Sequence, residues 1–117
     1  MGAIAVPVLP GKVDAWRQWL AECQGARKTE LEDMNSRFGL TRHRAWLQQN
    51  PDGSYVVIAV HDGPCGDEFM GKLGASDNEF DTWFRQHIQE VHGIDFSQPM
   101  PPLPELGLDS QGAAHTD

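Results

Sequence analysis

The chain has little of what would declare a chemistry outright. Of its 117 residues only two are cysteine and one is tyrosine. Cys23 falls in a helix pattern and Cys65 in a Gly/Pro loop, away from metal-ligand spacing, which argues against a disulfide framework and for a reducing compartment. Positive charge is scarce as well: nine Lys and Arg face seventeen Asp and Glu, a net charge of −8. Nucleic acid and anionic membrane surfaces both call for clustered positive charge, so neither is expected as a partner. Long apolar runs are missing too. The opening Met-Gly-Ala-Ile-Ala-Val has no basic segment ahead of its short apolar stretch. Neither a signal peptide nor a membrane span is expected from it, and a cytoplasmic location follows as the expectation. There is no Gly-rich phosphate loop, no Gly-x-Ser-x-Gly elbow and no Cys-x-x-Cys pair.

What is present is a hairpin. Residues 40–49 and 54–62 are two extended runs rich in β-branched and aromatic residues, joined by Asn50-Pro51-Asp52-Gly53. Pro51 presets φ for a type I turn, and Gly53 supplies the left-handed residue of a bulge. A three-residue loop of this kind closes on Asn50 and Ser54. Counting outward then sets Leu47 opposite Val57, Ala45 opposite Ala59 and His43 opposite His61. Period two places these six on one face, and Arg42, Arg44, Trp46, Val56, Ile58 and Val60 on the other.

Around the hairpin the chain reads as one domain, residues 1–110, with 111–117 as a flexible C-terminal tail. Residues 3–9 are apolar on both faces, as in a strand covered on both sides, and Pro7 must sit where no ladder hydrogen bond is needed. From Lys12 to Phe38 the residues Val13, Trp16, Leu20, Cys23, Leu31, Met34 and Phe38 recur at helical steps and predict one long helix. A short helix over 67–73 and a second one to about Val91, capped by Ser76 or Asp77, follow the hairpin. Pro99, Pro101, Pro102 and Pro104 call for an extended path over 94–104, and residues 105–109 alternate like a last strand. The order is βαββαβ, an α+β ferredoxin-like antiparallel sheet with its helices on one face. The other face carries too much apolar and aromatic surface to meet water. A homodimer, with two sheets closing into a dimeric α/β barrel, is the expected cover.

Segments that include Leu9-Pro10-Gly11-Lys12 with Trp16, Arg42 to Gln48, Ser76 to Phe84, His92-Gly93-Ile94-Asp95 and Pro104-Glu105-Leu106 carry a resemblance across nearly the whole chain. The chain resembles DUF6176-like small bacterial dimeric α/β-barrel proteins, and is distantly similar to the antibiotic biosynthesis monooxygenase superfamily. That superfamily includes cofactor-free oxygenases and haem-degrading enzymes. The residue constellation of the haem-degrading branch does not match here. The resemblance implies a barrel dimer, no cofactor, and a small hydrophobic or aromatic ligand.

Two places could hold chemistry. The first is the His43–His61 pair, whose β-carbons lie about 5 Å apart if the register holds. Two imidazoles at that distance suit an acid/base couple or, with a third ligand from His87, His92 or an acid, a divalent metal. The plain alternative is two strand-end histidines hydrogen-bonded to loops. The second is an aromatic and basic pocket built from Arg42, Arg44 and Trp46, or from Trp83, Phe84 and His87, with Tyr55 and Arg27 as further candidate ligand contacts. In a cofactor-free oxygenase a histidine (His43, His61 or His87) would take the substrate proton and an arginine would hold the anion. The alternative makes Trp16, Phe80 and Trp83 core, His87 a satisfied core histidine, and Arg27 a snorkelling side chain paired with Glu30. Three functions are left standing: a cofactor-free oxygenase, a non-catalytic small-molecule binding or interaction module, and a metal-dependent enzyme using His43 and His61.

Overall fold

The computed structural model describes residues 1–100 and 102–111, so the expected tail at 111–117 lies outside the described residues except for Gln111. The turn forms as its residues dictate. The Gly53 amide donates to the Asn50 carbonyl, the Asn50 amide donates to the Ser54 carbonyl, and Gly53 adopts a φ of 90°. The Asp52 carboxylate accepts from both the amide and the hydroxyl of Ser54 and locks the corner. Strands β2 (Arg42–Gln49) and β3 (Tyr55–Asp62) therefore pair with His43 opposite His61, Ala45 opposite Ala59 and Leu47 opposite Val57.

Strand β1 (Gly2–Pro7) pairs antiparallel to the other side of β3, giving the order β1-β3-β2. Both edge strands thus run parallel to each other. The connection between them carries helices α1 (Val13–Gln24) and α2 (Lys28–Arg37), where a single helix was expected. The break falls at Gly25, whose φ of −121° and ψ of −101° leave the helical region. Glycine is the residue least held to helical geometry, and here it lets α2 take a new axis. After the hairpin come a 3₁₀ turn (Gly66–Glu68), α3 (Phe69–Ala75) and α4 (Glu79–His92). Asn78 caps α4, accepting from the Phe80 and Asp81 amides at 2.9 and 3.3 Å. Ser76 or Asp77 was expected in that role, and Ser76 instead donates its hydroxyl to the Asp81 carboxylate.

The fold is α+β: an open three-stranded antiparallel sheet with four helices among the described residues. Residues 105–109 form no strand, and Leu106 and Leu108 are exposed there. Nor does the segment before it run straight, because Asp95 to Gln98 closes a turn. β1 is covered on one face only: Ile4 and Val6 pack on the core while Ala5 and Pro7 are exposed. Pro7 stands at the end of this edge strand, where a missing amide is tolerated.

The helices bury the sheet face that carries Ile4, Val6, Ala45, Val57 and Ala59, and Trp19, Met34, Phe69, Leu73, Phe84, Ile88 and Val91 fill the space between. The opposite face shows Val56, Ile58 and Val60 only partly buried and Trp46 48% exposed. Trp16 and Trp83, expected in the core, are partly buried at its margin, and Trp19 takes the central place.

Among the described residues one carboxylate lies fully inside. Asp81 is 0% exposed and receives two hydrogen bonds from Arg37, at 2.8 and 2.9 Å, besides the one from Ser76. Burial alone would raise the pKa of this carboxyl, but the Arg37 and Ser76 hydrogen bonds outweigh it and hold the group below its ordinary value. The pair ties α2 to α4. Arg37→Ala strands the buried carboxylate and is expected to cost about 3 kcal/mol in urea unfolding. Asp33→Ala removes only the exposed partner of Arg37, and its expected cost is below about 1 kcal/mol. Equal effects from the two substitutions would contradict this assignment.

Candidate functional site

The site grows from the hairpin register. With His43 and His61 paired across β2 and β3 on the covered face, their rings meet edge to face at 4.7 Å between centroids. His61 is 2% exposed and stacks on Phe69 at 4.2 Å. Its position depends on a close backbone approach, since a β-carbon at Gly66 would overlap the His61 carbonyl oxygen. The His43 ring is held from α2, where Asn35 Oδ1 lies 3.1 Å from its Nδ1. An amide oxygen only accepts, so Nδ1 carries the proton and Nε2 presents a lone pair. His92, the last residue of α4, is fixed the same way, with its Nδ1 donating to the Pro7 carbonyl at 2.8 Å.

These three histidines share the wall of a cavity of about 50 Å³ between sheet and helices, with Trp16, Trp19, Phe69, Phe84 and Ile88. Trp19 is 4% exposed, and its Nε1 has no hydrogen-bond partner among the described residues. A buried N–H without an acceptor carries a cost of about 1–3 kcal/mol, so it marks a place where something polar fits. An apolar cavity that takes benzene measures about 150 Å³, so this one has no room for an aromatic ring.

A second, larger space lies outside it. A groove of about 350 Å³ runs along the free edge of β2, lined by Arg42, Arg44 and Trp46 and, from the helices, Gln24 and Leu31. Leu20, His43, Ala45 and Phe84 border both groove and cavity. Arg44 donates through Nη2 to Asp62 at 2.9 Å and lies over the Trp46 ring at 5.4 Å. Its Nε is buried without an acceptor among the described residues.

Of the two alternatives for the second pocket, the structure gathers one set at the groove. Arg42, Arg44 and Trp46 gather at the groove, but His87 stacks on Trp19 and meets Trp83 edge to face, bordering neither space. Tyr55 packs against the core at the other end of β3. Arg27 sits over Trp83 at 4.3 Å and pairs with Glu30 at 2.8 Å, so its head is committed to its own helix turn and it lines neither space. The His43–His61 pair has no third partner for a metal, since among the described residues no three His, Cys, Asp or Glu side chains converge. Cys23 and Cys65 are both free, and burial pushes the Cys23 thiol up to about 12. Sequence reasoning missed Trp19 and Asn35. Both lie on helix faces that period counting assigned to solvent or left unassigned, and only the break at Gly25 brings α2 to His43.

Compared with known proteins, the chain matches no family model, no curated protein and no solved structure. No helix among the described residues is long and apolar enough to cross a membrane.

Electrostatically the histidine pair is a neutral site. Burial pushes the His43 imidazole down to about 3, with the neighbouring His61 adding to the effect, and burial takes His61 down to about 4. The unfolded chain, with ordinary imidazoles near 6.5, binds protons that the folded one refuses. Stability from this source is complete above about pH 6.5 and is lost as the pH falls from there toward 4 and then 3. At pH 5 the expected loss is about 2 kcal/mol per histidine relative to pH 7. His61→Leu should flatten that slope in urea unfolding. In proton NMR neither ring should titrate between pH 8 and 5, and a midpoint near 6.5 for either would contradict a pair held neutral by burial.

Proposed function

We propose that the protein binds a small aromatic acid in the groove beside β2. The supporting observation is Arg44, whose Nε is buried with no acceptor among the described residues while its Nη2 donates to Asp62 and the guanidinium lies over the Trp46 ring. A carboxylate or similar anion would complete that guanidinium, Arg42 adds charge beside it, and Trp46 offers a ring face. The groove has the volume of a small-ligand site, which the inner cavity lacks. On this reading the chain is a non-catalytic binding module. Calorimetric titration with substituted benzoates should find saturable binding that weakens at least tenfold in Arg44→Ala and in Trp46→Ala. Heats indistinguishable from dilution across the series would dispose of the groove as an aromatic-acid site.

The cofactor-free oxygenase is the second reading. What favours it is His43, which borders the groove and presents its Nε2 lone pair. A base whose pKa is driven down to about 3 is badly matched to a phenol, whose own lies near 10, and for that reason binding ranks first.

The sheet face away from the helices supports a homodimer closed face to face, in the manner of the DUF6176-like barrels that the chain resembles. Ala3, Ala5, Val56, Ile58 and Val60 give it an apolar centre, with Trp46 and Arg44 toward the β2 edge. The groove would then lie at the rim of that interface. Ile58→Asp should turn a dimer into a folded monomer in sedimentation equilibrium, and a wild-type monomer at high concentration would rule the arrangement out.

A further inference from the structure

Both outer strands of the sheet keep an unpaired edge. The Val8 and Asn50 amides donate to the Tyr55 and Ser54 carbonyls, so by alternation the even residues of β1 and β2 turn their backbone groups toward β3. The odd ones point outward, from Ala3 and Ala5 on β1 and from His43, Ala45, Leu47 and Gln49 on β2. Their outward amides and carbonyls have no partner among the described residues. The next outward carbonyl of β1, that of Pro7, is already taken by His92. The longer free edge is therefore that of β2, and the groove runs beside it. Leu20 and Leu31 line the groove from the helices. On the open face of the same strand Arg42 is exposed, with no ion pair or hydrogen bond among the described residues.

Such an edge takes an extended strand, and the chain carries one of matching pattern. In Glu105-Leu106-Gly107-Leu108-Asp109 leucine alternates with acid or glycine. Leu106 and Leu108 are 57% and 85% exposed, and Glu105 has no partner among the described residues. Laid along β2, this segment would turn its leucines to the helix side, where Leu20 and Leu31 stand, and Glu105 to the face of Arg42. The chain's own segment cannot do so. Leu103 and Pro104 lie against Ile4 and Val6 of β1, two strand spacings or about 10 Å from β2, and the two residues from Pro104 to Leu106 span at most about 7 Å. The nearer edge, that of β1, suits the segment poorly, because Asp67 and Glu68 outnumber Lys72 beside Leu103. We infer that residues 105–109 of a second copy add as a strand to the free edge of β2, with Glu105 of the partner subunit beside Arg42. Backbone hydrogen bonds and the two leucines supply the binding, while the exposed ion pair fixes the register. So short a segment makes a weak contact, formed at high protein concentration. It rests neither on the aromatic-acid reading nor on the face-to-face dimer, which leaves the edge amides free.

The test follows the backbone amides of Ala45 and Leu47 in dilute ¹⁵N-labelled protein, with a synthetic peptide of residues 103–111 as the probe. Saturable shifts and slowed hydrogen exchange at these two amides are expected. A peptide carrying Leu106→Asp and Leu108→Asp should bind at least tenfold more weakly, by a rough reckoning from two buried leucines. Arg42→Glu should weaken the native peptide about fivefold, and Glu105→Arg in the peptide should recover the loss. The same binding is expected in Ile58→Asp, which separates the strand from a face-to-face dimer. In the protein alone, protection of Ala45 and Leu47 should rise with concentration. The inference is overturned if the peptide shows no saturable shift, if its shifts fall on Ala3 and Ala5 instead, or if the doubly substituted peptide binds as well as the native one. It is equally overturned if Glu105→Arg recovers nothing, if folded Ile58→Asp no longer binds the peptide, or if protection of the edge ignores concentration.

Discussion

The structure depends on the pairing register of β2 against β3. Side chains alternate along a strand, so a slip of one residue would send His43 to the open face and Arg44 to the covered one. Asn50, Pro51, Asp52 and Gly53 leave no freedom for that slip, because turn type and loop length together decide which residues oppose each other. The face that carries Ala45, Val57 and Ala59 then becomes the core face, and His61 is drawn inside with it while His43 is partly buried beside it. A position that polarity alone would leave in water is buried by its neighbours.

Burial governs how polar groups behave at two separate places. At Asp81 the charge is kept, because Arg37 approaches with two hydrogen bonds and Ser76 with a third. At His43 and His61 burial is not offset by any acid among the causes acting on the rings, so the charge is given up and the neutral form persists. The first serves as a clamp between helices. The second makes an uncharged wall beside a small cavity. Arg42 and Arg44 stand across the strand from it, on the open face, where solvent still screens them.

Much of the hairpin was legible in the sequence, and so were the split of the second helical segment into α3 and α4 and the snorkelling of Arg27 onto Glu30. What escaped has local physical causes. Gly25 reads as a weak point in a helix, yet whether it bends or breaks depends on what α2 gains by packing elsewhere, here the Arg37–Asp81 contact. Trp19 lies one position off the stripe that counting favoured, and only the position of α4 shows that its ring meets Phe84 and His87. Alternation over 105–109 suggested a strand, but no neighbour supplies its hydrogen bonds.

The sequence by itself determined the elements whose causes are local: the turn, the register it imposes, the amphipathic helices, and therefore the meeting of His43 with His61. Tertiary structure alone decided which face of the sheet the helices cover, which of His61, His87 and His92 share a cavity, and where a buried N–H is left without an acceptor. The physical reason is range. Backbone turns and side-chain periodicity act over a few residues, whereas burial and the satisfaction of polar groups depend on what arrives from distant parts of the chain.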